Sequence, residues 1–349
     1  MKALHILYSG LGGASSVVFS LLNENKKNFL IKQDVLFTGD YLLKDYKRKV
    51  KETKSKWFFV KTKKFYSWLS WFEVFLRLYK EKPNLIFLHN FQFIPCLLYK
   101  FFFRTKIIYI DHQAINTRVL ACFTTFICSI LFLENYICVG KIKAILYKKN
   151  FNFFSYKIKF IPNSINTNFF KKNKIIKPNN HFRIGMASRI DLGKKQELII
   201  RALKQPNLKP LNIIFTIVGE GSNLLKLKNL VDLEDLQNKV KFDGILNETD
   251  LKLWYEKLNL YAQATVGEGM SISIFEAMSM GVPVMGSNVI GVRNLLGKKK
   301  YVGILFNNEV NDISKKIEYF YNLNNKQQKL FTKHQRKFVI HNYSSPIMF

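Results

Sequence analysis

The first half of the chain alternates between short, continuously apolar runs and longer amphipathic stretches. An apolar run of roughly four to eight residues between turn residues is typical of a buried strand, and an amphipathic stretch is typical of a helix. A helix is predicted from about Ala14, directly after the turn SGLGG. The predicted strands span residues 3–8, 85–90, 106–112, 135–140 and 157–162.

The same alternation restarts after a polar, lysine-rich stretch at 171–182, which we interpret as an interdomain linker. Helical patterns at 196–204 and 271–280 separate the later apolar runs. Alternating strands and helices predict a parallel, doubly wound sheet in each half of the chain. The later strands are predicted at 183–188, 212–221, 240–244, 258–264, 282–287 and 303–306.

The predicted fold is therefore α/β, with two Rossmann-like doubly wound parallel-sheet domains that face a cleft. They are expected to span residues 1–172 and 173–335, since 349 residues exceed what one core comfortably holds. The tail at 336–349 is expected to return and pack against the first domain. Ligands of such sheets bind beyond the carboxyl ends of the strands, so functional residues are sought in the loops that follow them.

The charge of the chain is strongly positive, with 55 Lys and Arg against 24 Asp and Glu and a net of +31. Residues 1–172 hold 29 basic and 9 acidic side chains, and the remainder holds 26 and 15. This excess favours an anionic partner such as a nucleic acid, a phosphorylated ligand or an acidic lipid surface. A/T-rich codon usage is the alternative explanation, and it predicts the scattering that many of the lysines show.

Three features of the sequence bear on the cellular location of the protein: the cysteines, the N-terminus and the longest apolar run. The cysteines lack CxxC spacing and lie in apolar runs, so buried thiols in a reducing compartment are expected. No secretory signal fits the N-terminus. The run at 119–133 is shorter than the roughly 20 residues needed to cross a bilayer, which favours a buried helix over an interfacial one. The four cysteines are Cys96, Cys122, Cys128 and Cys138.

Candidate chemistry in the first domain follows the predicted strands. Gly10, Gly12 and Gly13 come after the first strand and open a helix, where backbone amides can approach an anion. The spacing is not a full GxGxxG, so an ordinary tight turn is an equal alternative. His89 and His112 each end a predicted strand, which favours a cleft position, although capping or packing is the alternative role.

In the second domain, Arg189 and Lys194 lie in one loop directly after a strand. Arginine as a planar fork and lysine as a point charge could converge on a diphosphate. Solvated surface charge is the alternative in so basic a protein.

Two carboxylates, Glu268 and Glu276, flank a stretch of small and apolar residues. Glu268 and Gly269 are expected in a loop, and a helix is expected to begin near Ser271 with Glu276 in its second turn. A helix start offers free amides that bind phosphate, here those of Met270, Ser271 and Ile272. The alternative is structural, with one acid as a helix cap and the other as a buried partner of an arginine.

At these residues the C-terminal half resembles the retaining glycosyltransferases of family 4, which have the two-domain GT-B architecture. Glu268 and Glu276 match the family's Glu-x7-Glu signature and are followed by AMSMGVPVMGSNVIG. The stretches VGEGS, VKFDG, RIDLGK and FIPNSIN are also similar to family motifs. The match is specific from about 160 to 297. Departures at Ser164, Asn166, Lys195 and Val292 affect the donor identity and the loop geometry that the resemblance implies.

The resemblance implies transfer of a sugar from a nucleotide-diphosphate sugar with retention of anomeric configuration. It assigns Glu268 to the hydroxyls of the donor sugar, Glu276 to the ribose and His112 to a position near the sugar. Arg189, Lys194, the glycine-turn amides and the helix start would stabilise the departing diphosphate. The sequence has no DxD, so neither a metal nor another cofactor is expected.

The acceptor is expected to be a saccharide or lipid-linked saccharide in bacterial surface polysaccharide or lipopolysaccharide synthesis, with UDP favoured as the nucleotide. Residues 54–82 interleave lysines with tryptophan and phenylalanine. This suits peripheral contact with an anionic membrane, although a core-facing helix with a solvated lysine face is the alternative. A cytoplasmic protein, peripheral at the inner face of the cytoplasmic membrane, is therefore expected.

Other functions are compatible with parts of the sequence. A GT-B nucleotide-sugar epimerase, a glycogen-type phosphorylase or a catalytically silent scaffold would share the fold. A basic nucleic-acid-binding protein would explain the charge, but it leaves Glu268 and Glu276 without a role. A specific nucleic-acid partner is therefore not expected.

Overall fold

The structure is a computed structural model that describes residues 1–10, 12–28, 31–62, 68–90, 92–113, 130–172, 181–297 and 302–344. The described chain divides into two compact units, one that ends at Ser164 and one that spans Ile165–Ser344. Each unit contains one sheet, and all strand pairs of both sheets are parallel. Two doubly wound α/β domains are thus confirmed.

The first unit is a parallel sheet of seven described strands in the order β3-β2-β1-β4-β5-β6-β7. The strands are β1 (Lys2–Tyr8), β2 (Lys32–Gly39), β3 (Trp57–Lys61), β4 (Leu85–Leu88), β5 (Lys106–Asp111), β6 (Asn135–Cys138) and β7 (Ile158–Phe160). The helices are α1 (Gly13–Asn28), α2 (Lys44–Glu52), α3 (Trp68–Glu81), α4 (Phe93–Phe103) and α5 (Lys141–Asn150), and a 3₁₀ turn spans Asn152–Phe154.

Both faces of this sheet are covered because successive strand residues point to opposite sides. In β1, Leu4 and Ile6 belong to one buried apolar cluster, whereas Leu7 belongs to another. Strands buried on both faces are continuously apolar, which is why β1, β4, β5 and β6 are predictable from the sequence. All five predicted strands of this half are confirmed within two residues at either end.

The second unit is a parallel sheet of six described strands in the order β10-β9-β8-β11-β12-β13. The strands are β8 (Phe182–Ala187), β9 (Ile213–Val218), β10 (Val240–Gly244), β11 (Leu260–Gln263), β12 (Val284–Ser287) and β13 (Ile304–Phe306). The helices are α6 (Gln196–Ala202), α7 (Leu224–Leu233), α8 (Glu248–Glu256), α9 (Ile272–Ser279), α10 (Ile290–Leu296), α11 (Val310–Tyr321) and α12 (Asn325–Tyr343).

The boundary between the units differs from the expected one near residue 172. Ile165 already belongs to the second unit, because its backbone N–H donates to the carbonyl of Tyr343 at 2.9 Å. Residues 173–180 of the predicted linker lie outside the described residues.

The C-terminal segment also differs from its expected position, since residues 336–344 belong to the second unit. Helix α12 packs on α9, where Thr332 donates to the carbonyl of Gly281 at 3.0 Å and the Phe275 and Tyr343 rings stack at 4.5 Å. Burial of Phe331 and Val339 against the second unit therefore holds this helix there. The predicted return onto the first domain remains only for 345–349, which lie outside the described residues.

The structure describes only some of the cysteines and part of the apolar run from which the location was predicted. Cys96 and Cys138 are buried free thiols, whereas Cys122 and Cys128 lie outside the described residues. The predicted buried helix at 119–133 also falls outside them except for its last four residues. Among the helices that the structure describes, none has the length and apolar character needed to cross a membrane.

Candidate active site

Lys194 and Glu268 lie together beyond the carboxyl end of the second sheet, although 74 positions separate them in the sequence. The Lys194 ammonium donates to Glu268 Oε1, and both side chains are about six-sevenths buried, with 15% and 14% of their surface exposed. The two groups that the sequence assigned to the diphosphate and to the sugar are therefore paired with each other.

This pairing depends on backbone contacts between the loop after β8 and the end of β11. Lys194 and Thr265 form an isolated antiparallel bridge, and the Lys195 N–H donates to the carbonyl of Ala264 at 3.1 Å. The Val266 N–H donates to the carbonyl of Gly193 at 3.0 Å. These bonds fix the lysine loop against the strand from which the Glu268 loop departs.

Gln263, the last residue of β11, orients the Glu268 carboxylate. Its Oε1 accepts from the Tyr261 hydroxyl at 2.7 Å and from the Ser273 hydroxyl at 3.3 Å. Those bonds leave its amide nitrogen as the donor, and Nε2 donates to Glu268 Oε1 at 3.2 Å. Glu268 Oε1 thus receives a charged and a neutral hydrogen bond from groups that are themselves held in place.

Glu276 lies in the second turn of α9 as predicted, but it is buried rather than open, with 7% exposed. The hydroxyl of the fully buried Tyr255 donates to Glu276 Oε2 at 2.9 Å. Burial, with the nearby Glu276 carboxylate as a second cause, raises the pKa of Tyr255 well above its ordinary value. Tyr255 therefore stays a neutral donor to this carboxylate.

The predicted helix start is confirmed, because α9 begins at Ile272 with Ser271 as its extended N-cap residue. Gly269 and Met270 are half-buried in the preceding loop. The Ser271 hydroxyl lies 3.1 Å from the Ser273 hydroxyl rather than capping the backbone, and the first turn contains no acidic residue. The positive end of the helix is thus not neutralised from within the helix.

Gly291 supports the Glu268 loop from the side of α10. A Cβ at Gly291 would lie 2.0 Å from the carbonyl oxygen of Glu268 and 3.0 Å from that of Gly269. The loop backbone can approach α10 so closely only because this position lacks a side chain. The position of Glu268 is therefore set by α10 as well as by Gln263.

Arg189 does not take part in the Lys194–Glu268 ion pair and is paired with a different acid. Its side chain is 62% exposed and forms a 3.4 Å ion pair with Asp191. Its backbone is held tightly, since a Cβ at Gly219 would lie 2.0 Å from the carbonyl oxygen of Ser188 and one at Gly221 would lie 2.2 Å from that of Ile190. The loop is thus fixed while the guanidinium extends into solvent.

In the first unit, the glycine turn after β1 is held in place by hydrogen bonds that its carbonyl groups accept from side chains. The Ser15 hydroxyl donates to the carbonyl of Gly12 at 2.7 Å, and the buried Tyr46 hydroxyl lies 2.7 Å from the Ser15 hydroxyl and 3.2 Å from the Gly10 carbonyl. Gly13 begins α1, and a Cβ at Gly12 would have no neighbour within 4 Å. The space next to the α-carbon of Gly12 is therefore open.

His89 and His112 are close, as their strand-end positions predict, and a third histidine joins them. His5 Nδ1 lies 3.1 Å from His89 Nε2, and His89 Nδ1 lies 3.0 Å from His112 Nε2, with adjacent rings stacked. Burial lowers the pKa of His5 and of His112 to about 4, and burial with repulsion from the other two lowers that of His89. The three rings are therefore neutral at pH 7.

The tautomers of these rings are coupled. A neutral imidazole has one N–H donor and one acceptor nitrogen, so both bonds of the row must point in the same direction. Whether His112 presents a donor or an acceptor at Nδ1 is thus linked to the tautomer of His5, which lies two rings away.

Asp111, next to His112, is the centre of a buried polar cluster. Its Oδ2 is 2.6 Å from the Lys143 ammonium and accepts from the Tyr136 hydroxyl at 2.5 Å, while its Oδ1 accepts from the Gln113 N–H at 2.9 Å. Burial, followed by the Asp111 charge, raises the pKa of Tyr136 well above its ordinary value. The cluster holds the end of β5 from which His112 projects.

Several of these groups were missed by sequence reasoning. Gln263 and Tyr255 are polar residues inside apolar segments, and that placement was the available signal. His5 has the same signal within β1. Lys143 lies among other lysines, so nothing in the sequence singled it out. Gly291 matches a position of the family motif, but its contact with Glu268 is visible only in the structure.

Residues 167–337 match the family model of glycosyl transferases group 1. The matched range contains Lys194, Gln263, Glu268, Glu276 and Gly291, that is, the whole second-unit cluster. The histidine row and the glycine turn of the first unit lie outside the range that matches the group 1 family.

Curated relatives are similar to this chain over a limited part of their length. A Haemophilus influenzae protein described as an uncharacterized glycosyltransferase is 29% identical over 107 residues, which are 30% of this chain and 30% of that protein. The O-antigen biosynthesis glycosyltransferase WclY of Escherichia coli is 26% identical over 112 residues, 32% of this chain and 30% of that protein. The alignment thus spans less than a third of each relative.

The fold comparison extends over the whole chain. The Anabaena protein Alr3699/HepE, solved in complex with UDP and glucose, has a TM-score of 0.82 at 18% identity, with 100% of this chain and 97% of that chain covered. This likeness confirms the predicted GT-B fold class of two parallel-sheet α/β domains.

Proposed function

We propose that the protein is a retaining glycosyltransferase of family 4 that moves a sugar from a nucleotide-diphosphate sugar, with a UDP-sugar favoured, to a saccharide or lipid-linked saccharide. The observation that supports this most is the Lys194–Glu268 pair beyond the carboxyl end of the second sheet, beside the start of α9. A charged pair at this edge suits a ligand that has both a diphosphate and sugar hydroxyls. The group 1 match of the same segment supports this function over nucleic-acid binding.

In this proposal the second unit binds the donor. Lys194 exchanges its contact with Glu268 for the donor diphosphate, and Glu268, still held by Gln263, accepts from hydroxyls of the donor sugar. The amides of Met270, Ser271 and Ile272 at the start of α9 approach a phosphate, and Glu276 accepts from the ribose hydroxyls. Uridine is favoured because the fold neighbour was solved with UDP and glucose.

Departure of the diphosphate is the difficult step. Lys194 and the helix start place fixed positive groups where its charge develops, and one such donor is typically worth about 3 kcal/mol of barrier. Arg189 adds a mobile positive group. The exposed Arg189 guanidinium is free to reorient towards a bound ligand, since its ion pair with Asp191 at 3.4 Å is on the surface. We propose that these groups act without a metal.

Retention of configuration is assigned to a front-face reaction. The bond between the anomeric carbon and the leaving phosphate oxygen breaks, the acceptor oxygen bonds to the same face, and the acceptor proton passes to that phosphate oxygen. No enzyme nucleophile is needed, and Glu268 remains engaged with Gln263 and with the sugar.

The first unit is assigned to the acceptor. Because its pKa is lowered to about 4 by burial, His112 acts near the sugar as a neutral hydrogen-bonding group rather than as a cation. We assign the Gly12 and Gly13 amides to phosphate binding, and His89 fixes the orientation of His112 through the 3.0 Å bond between their rings. Surface polysaccharide or lipopolysaccharide synthesis in the cytoplasm is the proposed setting, in line with the name of the Escherichia coli relative.

The proposal is tested by incubating the purified protein with a panel of UDP-sugars and GDP-sugars and measuring release of the nucleotide. A product is expected with one UDP-sugar, and NMR of the new linkage should show the anomeric configuration of the donor. Substitutions Arg189→Ala and Lys194→Ala are expected to remove most of the turnover while folding normally. Turnover near wild type in both variants, or an inverted product, would contradict the proposal.

A further inference from the structure

Helix α3 of the first unit has apolar residues on two opposite faces. Ser70, Val74 and Leu78 are buried against the sheet, which explains one face. The other face is exposed to solvent, although four of its side chains are large and apolar at a spacing of three or four residues. These are Trp68, Phe72, Leu76 and Tyr79, exposed by 71%, 56%, 47% and 52%.

Helix α4 repeats this arrangement next to α3. Cys96 and Tyr99 are buried, whereas a second set of large apolar side chains is exposed. Phe101, at 85%, is the most exposed of them, and it is followed by Phe102 at 64% and Leu98 at 50%. Neither helix therefore has the polar outer face that a surface helix ordinarily presents.

The two sets form one continuous surface. The Tyr79 and Phe103 rings are in edge contact at 5.6 Å, and Phe103 in turn contacts Phe102 at 6.4 Å. Lys100 donates to the carbonyl of Phe132 at 2.7 Å, which brings a third exposed pair to the edge of α4. We call this surface the aromatic face, defined by Trp68, Leu69, Phe72, Leu76, Tyr79, Ile94, Leu98, Phe101, Phe102, Phe103, Leu131 and Phe132.

Cationic side chains border the aromatic face. Lys80 and Lys82 at the end of α3, and Arg104 and Lys106 after α4, are all exposed. The acids in the same region are largely paired, since Glu81 bonds to Lys2 at 2.8 Å and Glu134 bonds to Lys100 at 2.6 Å. The border is therefore net positive, with Glu73 as its exposed acid.

We propose that the aromatic face docks on the surface of an anionic lipid bilayer. Soluble proteins rarely expose a contiguous apolar patch of this extent without a partner for it. Aromatic side chains bordered by Lys and Arg match the boundary between acyl chains and acidic headgroups. A second copy of the chain fits less well, because a symmetric contact would place the two cationic borders against each other.

Residues 54–82 were compatible with either membrane contact or a core-facing helix. The buried stripe of α3 packs on the sheet, and the exposed stripe remains for the membrane, so one helix fulfils both roles. The aromatic face belongs to the first unit, whereas the proposed donor site belongs to the second.

The test is co-flotation of the purified protein with vesicles of phosphatidylcholine alone or with 30% phosphatidylglycerol, about 30% being enough to give a negative surface. Binding is expected to the anionic vesicles and to weaken as salt is raised. The double variant Phe101→Ser with Phe102→Ser should lower the partition coefficient at least about tenfold, because two large apolar side chains no longer enter the interface.

The matched control is Leu225→Ser with Leu233→Ser on α7 of the second unit, where the leucines are 70% and 82% exposed. Its partition should equal that of wild type, and the thermal midpoints of both double variants should be unchanged. Nucleotide binding is measured on the same samples, so loss of vesicle binding and loss of donor binding are told apart. Absence of flotation at low salt, equal flotation of the two double variants, or a dimer that Phe101→Ser dissociates would overturn the proposal.

Discussion

The Lys194 ammonium and the Glu268 carboxylate form an ion pair across two loops of the second unit, with each side chain mostly buried. The pair neutralises both groups, so neither charge is left unpaired in a partly buried position. In a nucleotide-sugar, the diphosphate could replace Glu268 as the anionic partner of Lys194, and the sugar hydroxyls could replace Lys194 as donors to Glu268. In the proposed donor site, the loops that hold the pair therefore also hold the groups that would contact the donor.

Gln263→Leu should lower turnover while leaving most of the donor affinity. Leucine removes the bond of 3.2 Å to Glu268 and keeps the volume of the side chain, so the carboxylate loses an orienting donor and not its charge. We expect kcat to fall about tenfold, in line with the loss of one hydrogen bond to a charged group, and KM to change less. Steady-state kinetics measure both, and Gln263→Glu, which places a second acid beside Glu268, should be worse. Unchanged kcat in the leucine variant would show that Gln263 does not position Glu268.

Gly291→Ala should displace the Glu268 loop. The added Cβ would lie 2.0 Å from the Glu268 carbonyl, and relief of such overpacking typically costs about 1–3 kcal/mol. We expect a lower thermal midpoint together with lower turnover, measured by calorimetry and by donor consumption. Gly193→Ala is the steric comparison, because the nearest atom to its Cβ is a side-chain oxygen of Asp191 at 3.3 Å. Equal stability of the two variants would contradict the close approach.

Stability should decline as the pH falls from about 6.5 towards 4. His5 and His112 have pKa values lowered by burial from 6.5 to about 4, and that of His89 is lowered in the same direction. The unfolded chain therefore binds more protons than the native one in this window, so protonation favours unfolding. Thermal midpoints across pH 7.5 to 4.5 measure the slope.

The histidine row can be separated from other sources of acid sensitivity by substitution. His89→Gln should reduce the steepness of that decline even though it lowers the midpoint at pH 7, whereas the exposed His341→Gln should keep the wild-type profile. If His89→Gln and wild type lose stability in parallel, the row is not the cause.

Lys143→Met should destabilise the first unit by about 3–5 kcal/mol, because it leaves the Asp111 carboxylate buried without its cation. The two side chains are 6% and 4% exposed and 2.6 Å apart. Chemical denaturation gives the free energy of unfolding. The double variant Lys143→Met with Asp111→Asn should recover a large part of the loss, and additive losses would argue against a direct pair.

The sequence predicts most of the fold because strands buried on both faces are continuously apolar. It fails at β2, where buried Gln33, Asp34 and Thr38 interrupt the apolar pattern. It also fails at β3, which lies among lysines and aromatic residues that favoured a surface assignment. Length and periodicity alone could not separate such a strand from the amphipathic helix that follows.

The site was predictable as a set of positions but not as a set of contacts. Glu268 and Lys194 follow strands and Glu276 lies in the second turn of a helix, and local pattern is enough to predict these positions. That Lys194 pairs with Glu268, that Tyr255 binds Glu276 and that His5 joins His89 depends on residues 21 to 84 positions apart. Such contacts follow from sheet order, which single-sequence periodicity does not specify.

The most direct test of the donor site is calorimetric titration of UDP into the wild-type protein and into Lys194→Met, with the exposed Lys226→Met on α7 as the matched control. Wild type and the control should bind UDP with the same affinity and gain thermal stability with it, whereas Lys194→Met should bind at least about tenfold more weakly, as expected for a lost charged contact. Equal affinity in all three proteins, or no binding of any nucleoside diphosphate by wild type, would contradict the assignment of this pair to a nucleotide-sugar donor.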